Sequence, residues 1–137
     1  LDKIIVDSKL SERTGFSNSQ QVWRVVRQRV VDSCASVIDI DYLDASLVPQ
    51  LNRSIAEYSI FDYIENQLNL SISHAFKEIT IDNATDQDKI LIDLGKDQHV
   101  VCVRSKVYLN NGKQFQFTES RHKLEKFKFV DYAKRHH

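Results

Sequence analysis

Two arginines stand one residue apart in the run Val22-Trp23-Arg24-Val25-Val26-Arg27-Gln28-Arg29-Val30-Val31. The run is rich in β-branched residues and reads as a strand. Strand side chains alternate between faces, so Arg27 and Arg29 point the same way. They share that face with Trp23, Val25 and Val31, residues that ordinarily pack inward. Two guanidiniums aimed toward a core require anionic partners. A carboxylate of the chain can serve, and Asp39, Asp41 and Glu119 are the candidates. A bound anion can also serve. Arginine holds phosphate through two parallel N–H bonds, and two forks ~6–7 Å apart on one strand face can converge on one phosphate.

Three further features bear on this choice. Ser59 opens the apolar repeat Ile60, Phe61, Ile64 and Leu68, which predicts a helix over 59–70. A helix N-terminus presents free N–H groups and the positive end of the helix dipole, which suits phosphate. Ser59 can cap that helix or donate its hydroxyl to a ligand. The segment after Asn111-Gly112 places Gln116, Thr118, Ser120 and His122 on one strand face, with Phe115, Phe117, Glu119 and Arg121 on the other. The neutral polar row suits either a solvated edge or the hydroxyls of a sugar. His122 can contact a phosphate or hydroxyl, or simply lie on the surface.

No catalytic signature appears. The chain has three glycines, none clustered into a phosphate loop, and no metal-ligand spacing. His74, Glu78 and His122 are the available acid–base candidates. Arg104, Lys106 and Lys113 read as a solvated basic face.

Bulk properties exclude several classes. The chain of 137 residues suits one domain, with 42% hydrophobic and 28% charged residues. Lysine plus arginine and aspartate plus glutamate number 19 each, which argues against this chain gripping nucleic acid by itself. No apolar run approaches the ~20 residues of a membrane span. Cys34 and Cys102 are far apart and read as free buried thiols, as expected in the cytoplasm. The chain starts at Leu1 and lacks methionine, so a piece of a longer protein is expected. His136 and His137 have the look of a tag remnant.

The elements that must position these residues follow from pattern. Lys3 to Lys9 predicts a short strand, and Ser11 to Gln20 a loop. Gln21–Asp32 and Ser36–Tyr42 predict a hairpin turning across Ser33 to Ala35. Leu43 to Asn52, with the sole proline Pro49, predicts a connection containing a helical turn. Ser71–Ile81 predicts a strand. Thr85-Asp86-Gln87-Asp88 opens a helix with a near capping box, closed by Gly95. His99–Leu109 and Lys113–His122 predict a second hairpin, with Asn111-Gly112 as a type I′ turn. Phe127–Val130 predicts a last short strand. The sum is an α+β domain, with helices laid on a mixed or antiparallel sheet.

The stretch from Phe115 to Arg135, Phe-Gln-Phe-Thr-Glu-Ser-Arg-His-Lys-Leu-Glu-Lys-Phe-Lys-Phe-Val-Asp-Tyr-Ala-Lys-Arg, resembles the close of the UTRA effector domains of GntR-type (HutC subfamily) transcription regulators. Trp23-Arg-Val-Val-Arg-Gln-Arg29 resembles their arginine-bearing strand, and Ser59-Ile-Phe-Asp-Tyr-Ile-Glu65 the helix start that follows. The resemblance implies a chorismate-lyase-like antiparallel sheet with flanking helices, spanning residues 1–137 as one effector-binding domain. It implies a winged helix-turn-helix N-terminal to this chain, a homodimer, operator DNA bound through that other domain, and no cofactor. Thr118-Glu-Ser-Arg-His122 with Phe127-Lys-Phe-Val-Asp-Tyr-Ala133 most resembles members responsive to trehalose 6-phosphate. By position, Arg27, Arg29 and Ser59 match phosphate-binding residues of sugar-phosphate-responsive members. Gln116 and His122 stand where amino-sugar-phosphate-binding relatives have glutamate and tyrosine, a departure consistent with a different sugar. Gln116, Thr118 and His122 are the expected sugar contacts. Two other readings stay open: a small enzyme of the lyase-like fold, and a dimerisation module whose arginines are tied up internally.

Overall fold

Two eleven-residue strands, β2 (Gln21–Val31) and β3 (Cys34–Asp44), form the hairpin that carries the arginines. Their turn is Asp32-Ser33, with φ of 52° and 62° at the two positions. Two consecutive positive φ values are the type I′ arrangement, whose twist matches that of the flanking strands. The turn sits one residue earlier than expected. A bulge between Arg29 and Val30 shifts the register just before it.

The computed structural model describes residues 1–48, 50–52, 63 and 71–133. The remaining described elements are β1 (Asp2–Ile5), α1 (Ser8–Thr14), β4 (Ile72–Asn83), α2 (Asp86–Leu91), β5 (His99–Leu109), β6 (Gln114–His122) and a 3-10 turn (Leu124–Lys126). The described strands form one sheet in the order β1-β2-β3-β6-β5-β4, every neighbour antiparallel. The α+β expectation holds, with an antiparallel rather than mixed sheet. The helix expected over 59–70 lies outside the described residues, apart from Tyr63.

Three expectations are corrected. The Lys3–Lys9 strand ends at Ile5, and a helix follows where a strand end and a loop were expected. Asp7 caps it by accepting from the Leu10 N–H at 2.8 Å, and Gly15 closes it at φ 88°. Only Leu10 offers an apolar contact within Ser8–Thr14, so hydrophobic periodicity could not reveal this helix. The second hairpin is not type I′, since only Gly112 has positive φ in its turn. Leu109 N–H donates to Lys113 O, and Gly112 N–H to Leu109 O. This is a three-residue turn with glycine in the left-handed position, accompanied by a bulge at Val107/Tyr108. Phe127–Val130 forms no strand, and Phe129 and Val130 lie exposed beyond the 3-10 turn.

The sheet has a core cluster on each side. On one face, Val22, Ile38, Ile40, Tyr42, Val100, Cys102 and Phe117 pack under Leu10, Phe16, Leu91 and Ile92, around α1 and α2. On the other, Val25, Leu43, Val107 and Trp23 pack under Val48, Leu51 and Tyr63. The expected helical turn in that connection begins at Asp44, whose carbonyl accepts from Leu47 and Val48.

Both helices are also pinned electrostatically. Glu119 of β6, fully buried, accepts from Arg13 of α1, from Arg104 Nε at 2.9 Å and from Arg121 Nη1 at 3.1 Å. Arg121 turns its other nitrogens to Asp88 of α2 at 2.8–3.0 Å. The same Asp88 completes the capping box with Thr85.

Gly15 tests how tightly α1 is seated. A Cβ there would lie 2.9 Å from Gln114 Oε1, while Gln114 Nε2 donates to Thr14 O at 2.8 Å. Gly95 has φ 61° but open space around it. Gly15→Ala is expected to cost about 2 kcal/mol and Gly95→Ala about 1 kcal/mol, from left-handed strain alone in the second case. Urea denaturation of the two variants measures the difference, and equal losses would mean that Gln114 does not confine α1.

Candidate functional site

The strand register decides which side chains meet. Arg27 sits opposite Asp39, and Val25 opposite Asp41. On the far side of β3, Asp39 faces Ser120, Asp41 faces Thr118, Leu43 faces Gln116 and Val37 faces His122. Opposed residues of paired strands share a face. Arg27 and Arg29 on β2 therefore share one face with Gln116, Thr118 and His122 on β6, with Asp39 and Asp41 between them. The spacing from β2 to β6 is two strand intervals, roughly 10 Å. Five of the six expected ligand-binding residues lie on this arginine face. Ser59 lies outside the described residues.

Both arginines have internal partners. Arg27 Nη2 donates to Asp41 Oδ2 at 3.0 Å. Arg29 faces both oxygens of Asp39, with Nε 2.7 Å from Oδ2 and Nη2 3.2 Å from Oδ1. The internal-carboxylate alternative is thus realised with Asp39 and Asp41, but not with Glu119, which lies on the opposite face. The pairs are diagonal: Arg27 reaches past Asp39 to Asp41. Ser120 Oγ also donates to Asp39 Oδ1 at 2.6 Å.

The pairing leaves donors and acceptors unused. Among the described residues, Arg27 Nε and Gln116 Oε1 are buried without a hydrogen-bond partner. Gln116 Nε2 reaches Asp41 Oδ1 only at 3.5 Å. Buried polar atoms are normally satisfied, and leaving one unpaired costs about 1–3 kcal/mol. The two atoms lie on one face, beside two arginines that keep 39% and 53% of their side chains exposed.

The electrostatics are those of four close charges. Burial pushes the Asp41 carboxyl up from its ordinary 3.8 to about 6, against the pull of Arg27 and with a push from Asp39. His122 is held below the usual histidine range by burial and by Arg29, with Asp39 opposing. It is neutral at neutral pH and offers one donor and one acceptor. Its ring meets Phe127 edge-on at 5.2 Å. Arg27 and Arg29 balance Asp39 and Asp41 in charge, so a phosphate must draw the arginines away from these carboxylates or join them.

The catalytic candidates are separated. His122 is on the arginine face, whereas His74 and Glu78 are on β4 with their side chains on the helix-covered face. His74 stacks on Tyr108 at 4.9 Å. Arg104 is corrected from the solvated basic face: Glu119, Thr80 and Asp82 surround it. Asp39 and Asp41 are the site residues that the sequence presented only as possible partners. Their Asp-x-Asp spacing repeats the Arg-x-Arg spacing of β2, and that was the available signal. Among the described residues, no three His, Cys, Asp or Glu side chains group as a metal site would.

A family model for the UTRA domain matches residues 1–128. The chain belongs to the UTRA family. This UTRA domain is 47% identical over 114 residues to the HTH-type transcriptional regulator TreR of Bacillus subtilis, covering 83% of the chain and 48% of that protein. It is 26% identical over 137 residues to the repressor NagR of the same organism, covering 98% of the chain and 56% of NagR. The chain spans about half the length of these relatives. Its fold superposes on the effector-binding domain of the B. subtilis trehalose repressor TreR with a TM-score of 0.90 and 40% identity, covering 99% and 94% of the two chains. A GntR-family regulator from Bacillus cereus, 24% identical, shares the fold at a TM-score of 0.86 over 98% and 95%. The domain is built as the effector-binding domain of a TreR-like transcriptional regulator is built.

The raised Asp41 carboxyl has a signed consequence. Folded Asp41 keeps its proton to about pH 6, while the unfolded carboxyl loses it near 3.8. The folded state binds more protons in that window, so this group's contribution falls as pH rises from 4 to 6 and stays unfavourable above. Asp41→Asn mimics the protonated acid. It is expected to stabilise the unliganded domain by about 1–3 kcal/mol at pH 7.5, with the gain shrinking as pH falls toward 4. Thermal melts across that range measure it, and a destabilised variant at pH 7.5 would show that the Arg27 pair outweighs the burial penalty.

Proposed function

We propose that this domain senses a phosphorylated sugar for a transcriptional repressor, with trehalose 6-phosphate as the effector. The phosphate is taken by Arg27, Arg29 and Ser59, and the sugar hydroxyls by Gln116, Thr118 and His122. The observation that carries this reading is the pair of buried atoms, Arg27 Nε and Gln116 Oε1, that find no hydrogen-bond partner among the described residues, on the face both arginines share. One is a charged donor at the phosphate end, and the other an acceptor at the hydroxyl end. Phosphate provides the oxygens that Arg27 lacks, and a sugar hydroxyl provides the donor that Gln116 lacks. Similarity to a regulator named as the trehalose repressor supports the choice of sugar.

The rest of the regulator follows from the same similarity. A winged helix-turn-helix N-terminal to this chain binds operator DNA, and the domain forms a homodimer in the cytoplasm. Among the described residues no helix is long and apolar enough to cross a membrane. Effector binding favours one arrangement of the dimer over another, to the extent that its affinity for the two differs. The domain carries out no reaction of its own, a reading supported by the separation of His122 from His74 and Glu78. A second reading, a dimerisation module without ligand, is favoured by one observation: Arg27 and Arg29 already hold Asp41 and Asp39.

Thermal shift separates the readings. Trehalose 6-phosphate at a hundredfold excess over Kd is expected to add about 2.7 kcal/mol, a rise in Tm of several degrees, and free trehalose little. Arg27→Ala and Arg29→Ala are expected to abolish the shift while the domain stays folded, because both arginines are substantially exposed. If no phosphorylated sugar moves Tm and both variants melt early without ligand, the arginines serve only the scaffold.

A further inference from the structure

The helix-covered side of the sheet holds an open cleft of about 540 Å³, lined mainly by residues of the face opposite Arg27 and Arg29, with Lys77 and Ser105 also in its lining. Its walls include Arg13 of α1, Phe76 and Glu78 of β4, Arg104, Lys106 and Tyr108 of β5, and Phe117 of β6, so cations outnumber the one carboxylate that lines it. That volume is within the range of small-molecule sites, roughly 300–1,000 Å³. The registers explain why it opens here. Phe76 pairs with Lys106, and Lys106 with Phe117, so aromatic and cationic side chains alternate across three strands on one face.

The charges around the cleft are unequally used. Arg104 is consumed by Glu119 and Asp82, and Arg13 is held by Glu119 but keeps 46% of its side chain exposed. Lys106 is half-buried and, among the described residues, has neither an ion pair nor a hydrogen bond. Its Cε and Nζ both lie 3.5 Å from where a Gly15 Cβ would stand, which keeps the ammonium close to the end of α1. Tyr108 and Phe76 meet edge to face at 6.1 Å, with Phe117 buried beside them. Two aromatic rings at right angles accept a third ring flat on one and against the edge of the other, with His74 stacked on Tyr108, and an unpaired lysine beside a half-exposed arginine accepts an acidic group.

We infer that this cleft is a second ligand site, for a small ring compound carrying one acidic group, its ring on Phe76 and Tyr108 and its acid on Lys106 and Arg13. The site is independent of the phosphate reading of Arg27 and Arg29. A ligand here would share Arg13 with Glu119, and so would bear on the contact that holds α1 to β6. The acidic group is met as a carboxylate or as a phosphate, and the two sources separate experimentally.

The test is amide NMR titration of the ¹⁵N-labelled chain with glucuronate, glucose 6-phosphate, benzoate and inorganic phosphate. Each probe is run on the wild-type chain, on an Arg27→Ala/Arg29→Ala variant and on Lys106→Ala and Phe76→Ala. Phe76 is 66% exposed and Lys106 unpaired, so both single variants should fold, as their spectra report directly. At least one ring acid should shift amides of β4 and β5 saturably. Its Kd should rise roughly tenfold or more in Lys106→Ala and Phe76→Ala and stay unchanged when the two arginines are removed. Glucuronate or benzoate as the tighter probe assigns a carboxylate ligand, and glucose 6-phosphate a phosphate ligand. The inference is overturned if no ring acid binds at roughly 10 mM, tenfold above a 1 mM Kd. It is equally overturned if inorganic phosphate alone matches the ring acids, if binding vanishes with Arg27 and Arg29, or if light scattering of the Phe76→Ala variant shows loss of a dimer that had filled the cleft.

Discussion

Glu119 is the carboxylate on which the helical side of this domain depends. Burial raises the cost of its charge, yet its hydrogen bonds and proximity to Arg13 and Arg104 outweigh that and hold it below the usual carboxylate range. Three arginines reach it from α1, β5 and β6, and Arg121 carries the chain of charges on to Asp88 at the start of α2. Helices of seven and six residues have little stability of their own. Packing of Leu10, Leu91 and Ile92 supplies attraction without direction, and the ionic ladder supplies direction. Breaking a buried pair by removing one partner typically costs 3–5 kcal/mol, so the network specifies geometry even where its net stabilisation is small.

The two faces of the sheet treat charge in opposite ways. On the helical face, the arginines and carboxylates close on one another, and Arg121 is raised in pKa by its partners despite burial. On the arginine face, two pairs are made, but a buried guanidinium N–H and a buried amide oxygen find no partner among the described residues. The first arrangement is finished and holds elements in place. The second keeps two polar atoms without partners among the described residues, and burial of the Asp41 carboxyl raises its pKa there despite Arg27. β6 belongs to both: Glu119 and Arg121 project to one side, and Thr118, Ser120 and His122 to the other.

Much of the fold was legible because its signals are local. β2, β3, β5 and β6 are long runs with clear alternation, and the Thr85 capping box uses residues three apart. α1 was missed because its caps are sound but its only apolar residue is Leu10, and its remaining stability comes from Arg13 reaching across 106 positions to Glu119. The β5–β6 turn was misread because Asn-Gly permits a type I′ turn without requiring one, and the bulge at Tyr108 favoured three residues. Arg104 was misplaced on a solvated face because Asp82 and Glu119, which surround it, come from other strands.

The sequence by itself determined that Arg27 and Arg29 share a face, and that Gln116, Thr118 and His122 share one too, because strand geometry makes alternate side chains coincide. It did not determine that these are the same face. Register settled that: one residue of slip between β3 and β6 would turn Glu119 and Arg121 toward the arginines and bury His122 among the helices. Tertiary structure also chose Asp39 and Asp41 over Glu119 as the partners, since β3 lies next to β2 with these two carboxylates on the arginine face, whereas Glu119 projects from the opposite face. Side-chain alternation is a property of the chain, whereas the meeting of two strands is a property of the packed core that selects their alignment.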